Sequence, residues 1–177
     1  PALTDFILTV DKISQMYLTG PVAVEQATGE KVDQETLGGA MTHSTTSGVA
    51  HFIDSTEQDC FTRVRKLLSY LPQNFREFAK ETIPTDDPNR VDEGLNTIVP
   101  ESNRLPYDVK DIIRSLADNG DFLESMPLFA DNIVTGFIRL NGKSTGVVAN
   151  QPMSMGGCLD VDASDKSARF IRTCDSF

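Results

Sequence analysis

The sequence predicts an α/β fold made of two layers joined by an irregular segment. Residues 133–150 have the pattern of a β-hairpin with two largely apolar strands. Amphipathic helices with capping residues are predicted at 55–71 and 162–177. Apolar periodicity is lost over residues 73–105, which contain three prolines and predict a linker.

The first part of the chain predicts short elements. Apolar runs at 6–10 and 16–19 predict two strands, and a helix over 22–28 is bounded by Pro21 and Gly29. Asp33 caps a further short helix that leads into LGGAMTHSTTSGVAH, residues 37–51. These small residues predict close approach of the backbone to a ligand or another subunit.

A strand at 50–53 precedes the clearest helix of the chain. Ser55 and Gln58 have the spacing of a capping box. The predicted apolar face comprises Cys60, Val64, Leu67, Leu68 and Leu71. The charged residues Arg63, Arg65 and Lys66 are expected to face solvent.

After the linker, Asp108 is the predicted cap of a helix that ends at Asn119-Gly120, before a strand at 122–126. Its predicted inward-facing residues are Val109, Ile112, Ile113 and Leu116. The hairpin follows, with Asn141-Gly142 as its turn. Its return strand, 144–150, lacks polar alternation, so both faces are expected to be covered.

The last predicted helix has Asp162 as its N-cap, after a glycine-containing loop at 151–157. One face is predicted from Ala163, Phe170, Cys174 and Phe177. The opposite side carries Asp162/Lys166 and Asp165/Arg169 pairs at i,i+4 spacing. Arg169 and Arg172 are expected on a solvated face or in a subunit contact.

Composition restricts the class of protein. The chain has 177 residues, 39% of them hydrophobic and 24% charged, as in soluble globular domains. No membrane span or secretory leader is expected, which favours a cytoplasmic location. A net charge of -10 argues against nonspecific binding to nucleic acid or anionic membranes. Three scattered cysteines predict reduced thiols, with no metal site.

Several long motifs carry a family resemblance. They are LGGAMTHSTTSGVAH (37–51), LNTIVP (95–100), YDVKDII (107–113) and VVANQPMSMGGCLDVDASDKSARFIRTCDSF (147–177). In this order and spacing they closely resemble the carboxyltransferase β subunit of biotin-dependent acyl-CoA carboxylases, of the propionyl-CoA or acetyl-CoA carboxylase or methylmalonyl-CoA transcarboxylase type. The resemblance implies a crotonase-like fold (ClpP/crotonase superfamily) built from β-β-α layers.

The resemblance also implies the domain organisation. Residues 1–72 would be the C-terminal half of the first crotonase-like domain and residues 106–177 the N-terminal half of the second. Residues 73–105 would be the interdomain linker. The expected association is a homo-oligomer, because each half-domain exposes a layer that its other half would cover.

The activity that the resemblance implies is transfer of a carboxyl group from carboxybiotin to the α-carbon of a short acyl-CoA such as propionyl-CoA. Biotin would be carried on a partner, a biotin carboxyl carrier or biotin carboxylase subunit, and the CoA thioester would be the substrate. Two alternatives remain open: a biotin-dependent acyl-CoA decarboxylase or transcarboxylase subunit, and a noncatalytic assembly fragment.

In the resembling enzymes, backbone N–H pairs stabilise the oxyanions of the reaction. Both pairs are expected to lie outside residues 1–177, so no catalytic residue is predicted and the isolated chain is expected to be inactive. The candidates for substrate binding are therefore residues that line a site, and they form two groups.

The first group is Gly38, Gly39, His43 and His51. The two histidines stand eight residues apart, without Cys or carboxylate at ligand spacing, so a structural role competes with a site-lining one. The second group is Asn150, Gln151, Gly156 and Gly157, at the end of a strand and before a helix. Its alternative is a loop that needs small residues for packing, and Cys158 beside it is expected to be a structural thiol.

Overall fold

The described part of the chain contains two separate β-sheets, one in each of two compact units. The computed structural model describes residues 3–102 and 104–177, which form two compact units, Pro1–Arg65 and Lys66–Phe177. The boundary between the units lies within the helix Glu57–Tyr70. The division into 1–72, 73–105 and 106–177 stays a prediction.

The first unit contains a two-stranded parallel sheet. Strand β1 is Leu8–Val10 and strand β2 is Phe52–Asp54, with Leu8 opposite Phe52. The helices between them are α1 (Pro21–Thr28), α2 (Gln34–Gly38) and α3 (Ala40–Thr45). The predicted caps of α1 and α2 are confirmed: Gly29 has φ 79°, and Asp33 accepts a hydrogen bond from the Thr36 backbone N–H.

The strand predicted at 16–19 is wrong. An isolated bridge pairs Gln15 with Gly39, and the Met16 N–H donates to the Gly38 carbonyl at 2.8 Å. Beyond this contact the run leaves the sheet, and Leu18 is fully exposed. The small-residue segment packs well, since Ala40 and Ser44 of α3 are buried.

Helix α4 is Glu57–Tyr70, and its cap differs from the predicted one. Thr56 Oγ1 accepts from the Asp59 N–H at 3.1 Å and donates to Asp59 Oδ2 at 2.7 Å, so the reciprocal pair begins one residue after Ser55. Leu67 is buried as predicted, whereas Leu68 is 60% exposed.

Arg63 does not face solvent freely. Its guanidinium donates to both carboxylate oxygens of the buried Asp54 at 2.6–2.9 Å, which is a bidentate ion pair between α4 and the end of β2. The same guanidinium lies 5.5 Å from the centre of the Phe52 ring. The expectation of a solvated Arg63 is therefore wrong.

The second unit contains an antiparallel sheet of order β3-β4-β5. Its strands are β3 (Phe122–Ser125), β4 (Ile133–Leu140) and β5 (Lys143–Asn150). Its helices are α5 (Leu95–Ile98), α6 (Val109–Leu116) and α7 (Val161–Ser176). The predicted hairpin turn is confirmed by positive φ at Asn141 (50°) and Gly142 (79°).

Helices cover both faces of β4. Val134 and Ile138 pack with Ile113 and with Ala117, which follows α6, and Phe137 lies 5.1 Å from Phe170 of α7 on the other face. The edge strand β5 is only partly covered, because its exposure alternates and Val148 is 41% exposed. The expected coverage therefore holds for β4 and not for all of β5.

Two details of the helices in this unit differ from expectation. Leu116 of α6 is 51% exposed and does not face the core. The N-cap of α7 is Asp160, whose carboxylate accepts from the Ala163 N–H at 2.8 Å, so the prediction of Asp162 is wrong. Cys174 and Phe177 are exposed, while Ala163 and Phe170 are buried as predicted.

The predicted linker lies within the second unit, where it is irregular except for α5 and packs against the end of α6. Arg90 donates to the carbonyl oxygens of Ser115 (2.6 Å), Leu116 (3.2 Å) and Ala117 (3.0 Å) at the C-terminal end of α6. These bonds satisfy carbonyls that a helix end leaves free. None of the helices in the described ranges has the length and apolar character needed to cross a membrane.

Candidate functional site

A cleft of about 580 Å³ in the second unit lies against the loop that follows β5. Its walls include Glu101, Arg104, Tyr107, Pro152, Met153 and Gly156. This volume lies within the range of small-molecule and cofactor sites. Gly156 is thus a sequence-predicted candidate that lines this cleft directly. A smaller groove, of about 400 Å³, lies beside Tyr70 and Phe137 and contains none of the candidates.

The loop beside the cleft has an unusual backbone. Met155, Gly156 and Gly157 have φ of 50°, 63° and 75°, three successive residues in the left-handed region. Asn150 Nδ2 donates to the Gly157 carbonyl at 2.6 Å and so holds the loop against the end of β5. Asn150 therefore stabilises the conformation of this loop.

Gln151 ties the base of this loop to α6. Its side chain is buried, with Nε2 donating to Asp108 Oδ1 at 2.7 Å and Oε1 accepting from the Val109 N–H at 3.2 Å. Burial acts to raise the pKa of Asp108, but the hydrogen bonds from Gln151 and from the Lys110 N–H outweigh it and hold this pKa below its ordinary value. Gln151 thus spans the start of α6 and the start of the loop.

Asn132 also supports the loop. Its side chain is 1% exposed, and Nδ2 donates to the Cys158 carbonyl at 2.8 Å and to Asp160 Oδ1 at 3.3 Å. Its own carbonyl accepts from the Gln151 N–H at 2.9 Å. The bonds from the Ala163 N–H and from Asn132 lower the pKa of Asp160. The side chain of Cys158 itself is exposed.

Lys166 is the largest departure from the predicted surface. It is 1% exposed, and its Nζ donates to four carbonyl oxygens. These belong to Met126 (2.8 Å), Phe129 (2.7 Å), Ala130 (3.1 Å) and Ile133 (2.8 Å). The predicted Asp162/Lys166 pair is therefore wrong. Burial lowers the pKa of Lys166 to about 8.

Sequence reasoning missed Lys166 and Asn132. A signal for Lys166 exists, because Ala163, Lys166, Phe170 and Thr173 follow the 3-4-3 spacing of one buried helix face. No comparable signal exists for Asn132, whose partners lie 26 and 28 residues further along the chain.

The other group of candidates lies in the first unit, around Met16. The N–H and carbonyl of Met16 bond to the Gly38 carbonyl (2.8 Å) and to His43 Nε2 (2.6 Å). Since a carbonyl only accepts, His43 carries its proton on Nε2, and Nδ1 accepts from Ser47 Oγ at 2.8 Å. A Cβ on Gly38 would lie 2.2 Å from the Met16 oxygen. Gly38 and His43 thus both bond to the backbone of Met16 and hold it in place.

His51 is buried beside β1. Its Nδ1 accepts from the Ile7 N–H at 3.1 Å, and its ring lies edge-on to Phe6, with centroids 5.3 Å apart. The structure brings Gly38, Gly39 and His43 together and places Asn150, Gln151, Gly156 and Gly157 together in the second unit. Across the described residues, no three His, Cys, Asp or Glu side chains gather as a metal site.

Comparison with known proteins identifies the family. The carboxyl transferase domain matches residues 1–177. The chain therefore belongs to the carboxyl transferase domain family. Within this family it is 52% identical over 177 residues to a protein named methylmalonyl-CoA decarboxylase subunit alpha, from Veillonella parvula, covering all of this chain and 35% of that protein.

A second relative is named biotin-dependent acetyl-/propionyl-coenzyme A carboxylase beta5 subunit, from Mycobacterium tuberculosis (strain ATCC 25618 / H37Rv). It is 49% identical over 185 residues, which cover the whole chain and 33% of the relative. The chain thus spans about a third of the length of these carboxyl transferase relatives.

A solved structure of the family agrees in fold. Transcarboxylase 12S, described as a hexamer with methylmalonyl-coenzyme A and methylmalonic acid bound, superposes with a TM-score of 0.96 at 46% identity. The match covers 100% of this chain and 34% of that one. The predicted crotonase-like α/β fold and the family resemblance are confirmed.

Proposed function

We propose that this chain is part of a carboxyltransferase that moves a carboxyl group between biotin and the α-carbon of a short acyl-CoA such as propionyl-CoA. The observation that carries the proposal is the match of all 177 residues, with a TM-score of 0.96, to transcarboxylase 12S with methylmalonyl-coenzyme A bound. In this proposal the biotin is carried by a partner, either a biotin carboxyl carrier or a biotin carboxylase subunit. The protein acts in the cytoplasm.

The proposal assigns ligand contacts to the loop at the cleft. The four candidates Asn150, Gln151, Gly156 and Gly157 shape this loop, and Gly156 borders the cleft itself. A glycine at this position leaves backbone groups open to a ligand, because a Cβ there would meet no atom within 4 Å. In the first domain, the proposal assigns site-lining roles to four residues: Gly38, Gly39, His43 and His51. The domain limits of the proposal are 1–72 and 106–177, with linker 73–105.

A chimaera tests this function. The matching third of the transcarboxylase 12S subunit is replaced by this chain, and propionyl-CoA formation from methylmalonyl-CoA is followed with free biotin as carboxyl acceptor. The oxyanion donors are expected to come from the retained part of the subunit, so a functional segment should keep the biotin-dependent rate within about tenfold of the parent. A segment that displaced one donor would lower the rate by about a hundredfold to a thousandfold. An assembled chimaera that forms no propionyl-CoA would refute the proposal.

A second candidate function is decarboxylation of methylmalonyl-CoA. The observation that favours it is the 52% identity to a protein named methylmalonyl-CoA decarboxylase subunit alpha. Both functions share the transfer of carboxyl from the acyl-CoA to biotin. Repeating the chimaera assay without biotin distinguishes these two biotin-dependent functions from direct loss of CO2. Propionyl-CoA formation should stop for either of the two functions, whereas direct loss of CO2 would continue.

We further propose that the protein is a homo-oligomer. Support comes from large apolar side chains that each unit leaves in water: Ile13, Leu18 and Val22 in the first, and Phe75, Phe78 and Ile83 in the second. Sedimentation equilibrium of the chain at micromolar concentration should show dimers or larger species. A folded monomer with a cooperative melt would contradict this.

A further inference from the structure

Lys166 is a buried cation for which the proposed function has no use. A lysine ammonium has three hydrogens to donate, and here four carbonyl oxygens surround it, so at least one hydrogen is shared. Within the described ranges no carboxylate forms an ion pair with it. Lysine is rarely buried to this extent unless a specific arrangement of partners holds it.

Three of the four acceptors belong to the segment that joins β3 to β4, and the fourth, Ile133, is the first residue of β4. We call Met126, Phe129, Ala130 and Ile133 the carbonyl cage. Met126 and Ala130 have φ of 55° and 45°, a left-handed conformation that residues other than glycine disfavour. Their converging carbonyls would repel one another without a shared donor. The ammonium therefore stabilises a connection that is intrinsically unfavourable.

The same connection contacts the loop at the cleft. Asp131 Oδ1 accepts from Ser154 Oγ at 2.6 Å, and the Asn132 carbonyl accepts from the Gln151 N–H at 2.9 Å. Asn132 also reaches the Cys158 carbonyl, just beyond the loop. The segment that Lys166 holds is thus bonded to the start, the middle and the far end of the loop.

We propose that Lys166 is a positioning residue that sets the loop 151–157 at the cleft by fixing the connection between β3 and β4. The ammonium acts on the carbonyl cage, and Asp131 and Asn132 transmit its position to Gln151, Ser154 and Cys158. The relevance of this effect to carboxyl transfer rests on the proposed function. The effect on the loop does not, because it is measurable on the chain without any ligand.

The first experiment is amide hydrogen exchange on the Lys166→Met variant, whose side chain has similar length and no donor. Loop amides such as those of Gln151 and Gly157 should exchange at least about tenfold faster, and by a larger factor than the β4–β5 ladder. Lys143→Met, at the exposed start of β5, is the matched control and should change neither set. An equal rise throughout the second unit, or no rise in the loop, would overturn the proposal.

A second measurement needs no variant and decides the matter if Lys166→Met does not fold. The ammonium of Lys166 is observed by nitrogen-15 NMR in the unmodified chain. Its protons should exchange with water at least about tenfold more slowly than those of the exposed Lys143 and show couplings to the carbonyl cage. Exchange as fast as at Lys143 would refute the role of Lys166.

A third variant tests the transmission separately. Ser154→Ala removes the bond to Asp131 and leaves the carbonyl cage intact. Amides of residues 153–157 should exchange faster while the Lys166 ammonium signal stays unchanged. An unchanged loop would overturn the proposed transmission. Because none of these measurements uses CoA or biotin, their failure is distinguishable from failure of the carboxyl transfer assay.

Discussion

The two glycine pairs of the chain look alike in sequence and differ in physical role. Gly38-Gly39 joins α2 to α3, and Gly39 has φ -70°, a value open to any residue. A Cβ on Gly38 would lie 2.2 Å from the Met16 oxygen. Gly156-Gly157 has φ of 63° and 75°, and Gly156 has no atom within 4 Å of a Cβ. The first pair is required by close packing, the second by backbone conformation.

This difference separates structure from candidate function. Where a glycine allows two segments of one unit to touch, the neighbouring segment fills the space beside it and leaves no room for a ligand. A glycine that turns the backbone beside an open cleft does leave that room. The comparison therefore favours the loop 151–157 over residues 38–51 as a place where a substrate binds. Substitutions that distinguish contact from conformation test it.

The largest effect is expected for Gly38→Ala. Its new methyl group would overlap backbone atoms of Met16, which cannot rotate away as a side chain end could. We expect a loss of about 3 kcal/mol in the free energy of unfolding of the first unit. Exchange of the His51 amide, which is bonded to the Ile7 carbonyl, reports this free energy.

Gly20→Ala is the matched control in the same unit. Gly20 has φ -75°, and a Cβ there would meet only the Tyr17 ring at 3.8 Å, an ordinary contact. Gly20 is also the N-cap of α1, where alanine is less favourable than glycine, so we expect the free energy of unfolding to fall by about 1 kcal/mol or less. Equal effects of the two substitutions would remove the distinction by close packing.

Gly157→Ala should have the second-largest effect, through both causes together. Its φ of 75° is unfavourable for alanine, and its Cβ would lie 3.3 Å from that of Asn150. We expect a cost of about 1–2 kcal/mol, confined to the loop. Faster exchange of the Gly157 region with unchanged exchange in β4 would support this, and a change throughout the second unit would contradict it.

Local chemistry explains which parts of the fold the sequence could predict. The caps at Asp33 and Asp108 and the Asn141-Gly142 turn depend on residues within three positions of one another, so a pattern suffices. Where several capping residues lie close together, as at 160–165, the position of the cap depends on how the helix docks. That choice is tertiary, and the prediction of Asp162 failed for this reason.

Longer-range contacts could not be predicted. The partners of Lys166 lie 33 to 40 residues earlier in the chain, and backbone carbonyls leave no trace in a sequence. The same holds for Gly38, whose neighbour Met16 belongs to a run that the pattern assigned to a strand. The sequence therefore predicted which residues belong to the candidate site, but the contacts that shape the site could be seen only in the structure.

A smaller effect is expected for Gly156→Ala. Since a Cβ at this position has open space, only the positive φ opposes the substitution, and the cost should be about 1 kcal/mol. Gly156→Asn should cost less, because asparagine tolerates the left-handed conformation. Loop exchange rates should rank wild type, Asn and Ala in increasing order. Equal rates for Asn and Ala would show that contact, not conformation, sets the requirement.

The smallest effect at neutral pH is expected for Asp108→Asn, which tests whether a carboxylate anchors the loop. Asparagine caps helices about as well as aspartate and keeps an oxygen for Gln151 Nε2, so stability near pH 7 should change little. The difference should appear in acid. Because the pKa of Asp108 lies below its ordinary value of 3.8 in the folded chain, its contribution is complete only at a pH well above that value.

That contribution is lost as the pH falls from about 5 through the lowered pKa, since the unfolded chain then binds the proton more tightly. Asparagine cannot take up this proton, so Asp108→Asn should lose less stability in acid than the wild type. Exchange of the Gln151 amide between pH 6 and pH 3, corrected for the intrinsic rate, measures the difference. Asp33→Asn, in the first unit, should leave that amide unchanged. Parallel pH profiles for wild type and Asp108→Asn would show that the loop does not depend on the charge of Asp108.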